Sequence, residues 1–163
     1  MAEPRRTIGI DPGTARLGYA VVESSNSKLS LLVCGVISTP ATEKKMENRL
    51  LTIYNELSEI VGLHHPQDMA VEELFFAKNV TTAVGVGQAR GVALLVAAQA
   101  NLALSEYKPM QVKQAVHGYG LASKNQVGEM VRVLLRLDAI PRPDDAADAA
   151  AIAICHLNTF RPA

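Results

Sequence analysis

Between Thr7 and Ile37 the chain alternates short Val-, Leu- and Ile-rich runs with polar breaks. Thr7–Ile10 stops at Asp11-Pro12-Gly13-Thr14, a composition that turns. Leu17–Glu23 and Leu29–Ile37 are separated by the polar connector Ser24-Ser25-Asn26-Ser27. The pattern predicts three antiparallel strands in meander order. From about 43 to 62 the period changes. Met46, Leu50, Ile53, Tyr54, Leu57, Ile60 and Val61 recur at three- and four-residue steps, which predicts a helix with one apolar face. Thr42 is its expected N-cap and Gly62 its stop signal. Met69–Val71 is a brief strand ending at Glu72-Glu73.

Residues 80–104 follow a different pattern, with Ala, Val and Leu covering almost the whole helix circumference. A helix apolar on every side must be covered on every side. One face can meet a sheet; the other is expected to meet a second copy of the chain. Gly85, Gly87, Ala89, Gly91 and Ala93 are small enough for close backbone approach. A dimer interface is the expectation, with a central core helix as the alternative. A fifth strand is predicted at Leu102–Tyr107, then helices at 109–117 and 123–137, a loop at 138–144 and a last helix at 145–157. Strands first, then strand–helix alternation, predict an α/β fold: one mixed five-stranded sheet flanked by helices.

Composition narrows the field. The 163 residues are 48% hydrophobic and 20% charged, which excludes disorder, collagen and coiled coil and predicts one domain over 1–163. No unbroken apolar run reaches the ~18 residues of a membrane span, and residues 1–7 lack a leader's apolar stretch. No membrane partner is expected. Cys34 and Cys155 sit in apolar stretches and read as small buried residues of a protein in a reducing cytoplasm. Sixteen Lys and Arg balance sixteen Asp and Glu. The zero conceals a division: residues 74–137 hold seven basic and two acidic side chains, +5 against −5 elsewhere. Such segregation permits a basic face beside an acidic site.

Four carboxylates stand at chemically suggestive places. Asp11 ends the first strand, Glu72 the fourth, and Asp145 and Asp148 lie three apart at the start of the last helix. Strand ends and helix starts gather at one sheet edge, where α/β folds bind ligands. Crowded carboxylates resist ionisation unless a cation relieves them, and hard divalent cations take oxygen ligands. Four acids suit two metals about 3.5–4 Å apart, the arrangement of phosphodiester cleavage. Taken singly, each acid also fits a bland role as a turn residue, helix cap or surface charge.

Six motifs, in order, resemble the RuvC family of bacterial Holliday-junction resolvases: Ile8-Gly9-Ile10-Asp11-Pro12-Gly13-Thr14, Ala70-Val71-Glu72, Ala77-Lys78-Asn79, Gly87-Gln88-Ala89-Arg90-Gly91, Gln111-Val112-Lys113-Gln114 and Asp145-Ala146-Ala147-Asp148-Ala149. The resemblance runs from about 7 to 157. It implies an RNase H-like, retroviral-integrase fold and a homodimer that nicks two like-polarity strands of a four-way junction, each subunit using two Mg²⁺ ions, with Mn²⁺ as a substitute. The family's catalytic acids fall on Asp11, Glu72, Asp145 and Asp148, although Asp144 competes for the third place and Glu73 adjoins the second. Lys113 and Lys124 match lysines near the scissile phosphate. Phe75 matches a residue that stacks on an unpaired base, while Phe76 is expected in the core. Lys78, Asn79, Arg90 and Arg16 are expected DNA-backbone contacts, and the RuvA–RuvB branch-migration complex is the implied partner. His64, His65, His117 and His156 lack ligand spacing and are expected at the surface or at caps. Two rivals remain at this stage: a junction- or RNA-binding module without cleavage, and a nucleotide-binding protein using residues 11–14 as a phosphate turn.

Overall fold

A computed structural model describes residues 3–73 and 79–160. Strands β1 (Arg5–Asp11), β2 (Arg16–Ser25) and β3 (Lys28–Ser38) form the expected antiparallel meander. β4 (Asp68–Glu72) pairs parallel with β1, and β5 (Ala103–Tyr107) pairs parallel with β4. The order is β3-β2-β1-β4-β5, one mixed five-stranded sheet.

Strand periodicity divides the sheet's two faces. Ile8 and Ile10 of β1, Val21 of β2, and Met69 and Val71 of β4 pack with α1 (Met46–His64) and α2 (Val80–Gln99). Ala20, Val22 and Ala70 point the other way, into a cluster with α3 (Pro109–His117), α4 (Lys124–Leu134) and α5 (Asp144–Thr159). Asp11 and Glu72 fall in the second phase, on the α5 side. α5 crosses this face over β1 and β2, and its alanines from Ala146 to Ala153 are buried. Small side chains let it lie close to the sheet. Gly9 takes this to the limit: a Cβ there would collide with the Ala149 carbonyl and stand 2.8 Å from Ala153 N.

Several boundaries differ from the sequence pattern. α1 begins at Met46, because the chain turns at residues 41–42, with Glu43 N donating to Pro40 O at 3.0 Å and Glu43 Oε1 accepting from Lys45 N at 2.8 Å. Thr42 does not cap it; Lys45 is the N-cap residue and makes no side-chain cap bond. Gly62 lies within the helix, which stops where His65 turns left-handed, ahead of Pro66. α2 ends at Gln99, and Asn101 takes the left-handed conformation before β5. α4 runs 124–134, capped by Ser123, whose hydroxyl accepts from Gln126 N at 3.2 Å. α5 starts at Asp144, inside the stretch expected to be loop.

α2 answers the all-round apolar pattern only in part. Its small face, Ala89, Ala93, Val96 and Ala97, is buried, whereas Val80, Val84 and Leu95 are exposed. Among the described residues it is the one helix long and apolar enough, by length and composition, to cross a membrane. It also carries Arg90, paired with Glu106 of β5.

One histidine expectation is corrected. His156 is neither at the surface nor a cap; it is fully buried near the end of α5. Its Nδ1 shares a 2.8 Å hydrogen bond with the Tyr107 hydroxyl, and its Nε2 lies 3.4 Å from Asp68. Asp68, also buried, accepts two bonds from the Arg5 guanidinium at 2.5 and 2.6 Å. Burial alone would raise the Asp68 carboxyl, but His156 and Arg5 outweigh it and hold the group below its ordinary range. This network ties β1, β4, β5 and α5 together. Cys155 is buried as expected, its thiol pushed up to about 11 by burial, while Cys34 is only half-buried.

Candidate active site

The parallel pairing of β1 with β4 brings their C-terminal ends side by side: Ile10 registers with Val71, and Asp11 and Glu72 follow directly. The first turn of α5 arrives above them. Across β1, Asp11 registers with Gly18 of β2, and Gly18 is where α5 touches down. A Cβ at Gly18 would sit 3.0 Å from Asp145 Cβ and 2.6 Å from its carbonyl carbon. With no side chain at Gly18, Asp145 and Asp148 can reach Asp11. Ligand oxygens of Asp11, Asp145 and Asp148 lie within 4.8 Å of one another. Sequence reading passed over Gly18, since a lone glycine in a strand gives no hint of what approaches it.

Glu72 completes the edge, facing the same acids without belonging to that tightest trio. It lines a cavity of about 330 Å³ with Asp11, Glu73, Asn79 and Arg90, and a second of about 210 Å³ with Asp148, Lys113 and Lys124. Asp145 rather than Asp144 joins the cluster. The exposed Asp144 lies outside that trio, 3.5 Å from Arg142 and 3.9 Å from Lys124. Helix spacing does not decide between them, since positions three and four before Asp148 both neighbour it; the packing of Asp145 on Gly18 does.

The electrostatics follow from crowding. Burial, then Asp148, Glu72 and Asp145, push the Asp11 carboxyl up to about 8, with only Lys124 opposing. Glu72 is raised by burial and by Asp148, against Lys113 and Lys124. Burial also raises Asp148, although Lys124 Nζ donates to it at 3.1 Å. Carboxylates held against their own repulsion in partly buried positions are a donor set for a hard divalent cation. The residues therefore fit a metal.

The expected basic residues are only partly drawn to this edge. Lys113 and Lys124 are, as the cavity they share with Glu72 and Asp148 places them. Arg16 pairs with Asp145 at 3.2 Å and its side chain is more than half exposed. Asn79 caps α2, its side-chain oxygen accepting from Thr81 N at 3.1 Å and Thr82 N at 3.4 Å. Arg90 reaches the first cavity with its guanidinium engaged by Glu106. Phe75, Phe76 and Lys78 lie outside the described residues.

Acids at the ends of two adjacent parallel strands, met by the first turn of a helix packed across the sheet, mark an α/β protein of the RNase H-like class. The chain belongs to the RuvC family: residues 7–156 match the family described as crossover junction endodeoxyribonuclease RuvC. The crossover junction endodeoxyribonuclease RuvC of Roseiflexus sp. is 62% identical over 93% of this chain and 89% of the relative. That of Chloroflexus aurantiacus is 58% identical over 94% and 93%. Among solved structures, Thermus thermophilus RuvC in complex with a Holliday junction substrate superposes with a TM-score of 0.89 at 39% identity, covering 94% of this chain and 93% of that one. A yeast mitochondrial Holliday junction resolvase, 17% identical, shares the fold with a TM-score of 0.68 over 94% of this chain and 79% of its own.

Proposed function

We propose that this chain is a cytoplasmic, metal-dependent endonuclease that resolves four-way DNA junctions by nicking two strands of like polarity, in recombination and repair. The observation that carries the reading is the convergence of Asp11, Asp145 and Asp148 from β1 and α5, with Glu72 of β4 alongside. A binding module has no need to hold one carboxyl near 8 at the cost of stability. One domain over 1–163 carries the activity. Asp11, Glu72, Asp145 and Asp148 would hold two Mg²⁺ ions, with Mn²⁺ able to replace them. Divalent cations bound there would supply charge stabilisation for the entering and departing oxygens. Water attacks phosphorus and the 3′ oxygen leaves, giving 5′-phosphate and 3′-hydroxyl ends.

The chain's own side chains do the rest. Lys113 and Lys124, facing the acid edge from α3 and α4, offset phosphate charge as it grows in the transition state. Lys78, Asn79, Arg90 and Arg16 contact the DNA backbone, and Phe75 stacks on an unpaired base. Arg90 and Asn79 serve from positions already pinned by Glu106 and by the α2 cap. Junction shape sets specificity first and local sequence second. Incubation with a synthetic four-way junction and Mg²⁺ or Mn²⁺ tests the reading: paired, symmetric, ligatable nicks are expected, and binding without nicks would refute it.

Lys113→Ala is expected to slow cleavage about 10²-fold, the scale of losing one preorganised charge donor. Junction affinity should change by less than about threefold, because the charge matters most in the transition state. Single-turnover rates and a binding isotherm separate the two, and an affinity effect alone would demote Lys113 to a phosphate contact.

We further propose a homodimer joined through α2, with the RuvA–RuvB complex as partner. The exposed Val80, Val84 and Leu95 supply an apolar side left uncovered among the described residues. Leu95→Glu should yield monomers by size-exclusion with light scattering and should uncouple the two nicks. An unchanged dimer would place the interface elsewhere.

A further inference from the structure

α3 and α4 are joined by a compact knuckle, and it carries apolar side chains that the core does not use. Val112 and Val116 of α3, Ala122 of the knuckle, and Val127 and Val131 of α4 are buried. Met110, Tyr119 and Leu121 face outward at 60%, 54% and 70% exposure. The knuckle is built rather than slack. Gly118 takes a φ of 83° and its N–H donates to Gln114 O at 2.9 Å. Ala122 N donates to Tyr119 O at 3.0 Å, and Gln114 Nε2 donates to Gly118 O at 3.1 Å. Met110 lies over Gly120, where an added Cβ would be 2.9 Å from Met110 Cγ. Three exposed apolar side chains are thus held on a braced turn.

Its surroundings indicate what covers it. From Lys108 to Gly128 the chain carries Lys108, Lys113 and Lys124 and no acidic residue. Lys113 and Lys124 face the acid edge, and Pro109, next to Met110, lines both cavities there. The knuckle thus lies between Lys113 of α3 and Lys124 at the start of α4, so a polyanion held by these lysines has it as a neighbour along the chain. An exposed aromatic ring and two exposed apolar side chains on a segment whose charged residues are all basic suit the face of a nucleobase.

We propose that Met110, Tyr119 and Leu121 form a platform for an unstacked nucleotide flanking the cut, so that this turn grips the strand that Lys113 and Lys124 present to the acids. This rests on the nuclease reading and adds a contact to it. Stacking holds whichever base is delivered, so the platform positions the strand without reading its sequence.

The test uses the full chain and a four-way junction with 2-aminopurine placed in turn at each nucleotide flanking the cut. Wild type should quench the fluorescence at one position whose quenching survives in a Phe75→Ala variant, which separates it from the base that Phe75 stacks on. Tyr119→Ser with Leu121→Ser should abolish that quenching and weaken junction affinity about tenfold, with the melting temperature unchanged because both side chains are exposed. Tyr119→Phe should keep both. The slope of log affinity against log salt should stay as in wild type, since no phosphate contact is lost. Equal quenching and equal affinity in the double variant would overturn the platform, as would a loss residing wholly in the salt slope. A wild-type protein that neither binds nor nicks the junction would remove the nuclease reading itself, a distinct result from failure of the double variant alone.

Discussion

Asp11→Asn is expected to reduce junction cleavage to background and, in metal-free protein above about pH 6, to raise the melting temperature. Both effects come from the same crowding. The Asp11 carboxyl is raised from 3.8 to about 8, by burial first and then by Asp148, Glu72 and Asp145. The folded protein therefore holds this proton more tightly than the unfolded chain does. For a carboxyl shifted upward, the favourable contribution is complete below the unfolded value and is lost as pH rises through the folded one. Wild type should accordingly lose stability between about pH 4 and pH 8, in a window set by those two values. Asparagine cannot ionise and escapes the loss. The full shift corresponds to several kcal/mol, on the order of 1.4 kcal/mol per unit, and coupling among the acids spreads it over the cluster. A gain of about 5–10 °C at pH 8, shrinking toward pH 4, is the expected scale. Saturating Mg²⁺ should stabilise wild type more than the variant. Calorimetry across pH, with and without metal, checks all of this, and an asparagine variant less stable than wild type at pH 8 would make Asp11 a folding residue.

Gly18→Ala is expected to damage the site through its backbone. The new methyl would press against the Asp145 carbonyl and Cβ. Overpacking of this kind costs about 1–3 kcal/mol, and here the collision is with backbone, which yields little. At about 2–4 °C per kcal/mol for a chain of this size, the melting temperature should fall several degrees. The informative readout is Mn²⁺ affinity, which should drop because the first turn of α5 is lifted away from Asp11. Gly62→Ala is the control. An alanine Cβ there meets nothing within 4 Å, and the position lies inside α1. That change should stabilise by about 0.5–1 kcal/mol and leave metal affinity alone. Unchanged Mn²⁺ binding in Gly18→Ala would show that the close approach does not serve the cluster.

How much of this was legible beforehand can be judged residue by residue. The strands were legible because apolar runs bounded by turn residues suit a sheet covered on both faces: in β1 Ile8 and Ile10 go one way, Gly9 and Asp11 the other, and residues 7–10 are all buried. The helices were legible as types, and their ends were not. Glu43, Asn101 and His65 set boundaries through turn geometry that apolar periodicity does not encode. The acid edge was legible as four positions, with the choice between Asp144 and Asp145 left to the turn of α5 that packs against Gly18. His156 was misread, because its partners Tyr107 and Asp68 lie far away in sequence. Met110, Tyr119 and Leu121 passed unremarked, since whether an apolar residue is inside or outside depends on what else fills the core.

Residue order alone determined the element types, the α/β class, the six motifs that mark the family, and which carboxylates compete for the site. These are local quantities: period, composition and spacing along one stretch of chain. Tertiary structure alone decided that β1 and β4 run parallel with their ends adjacent, that α5 descends onto Gly18, and that Asp11 is thereby pressed among Glu72, Asp145 and Asp148. Repulsion and burial act through distance in space, and a raised carboxyl exists only once separate segments have been packed together.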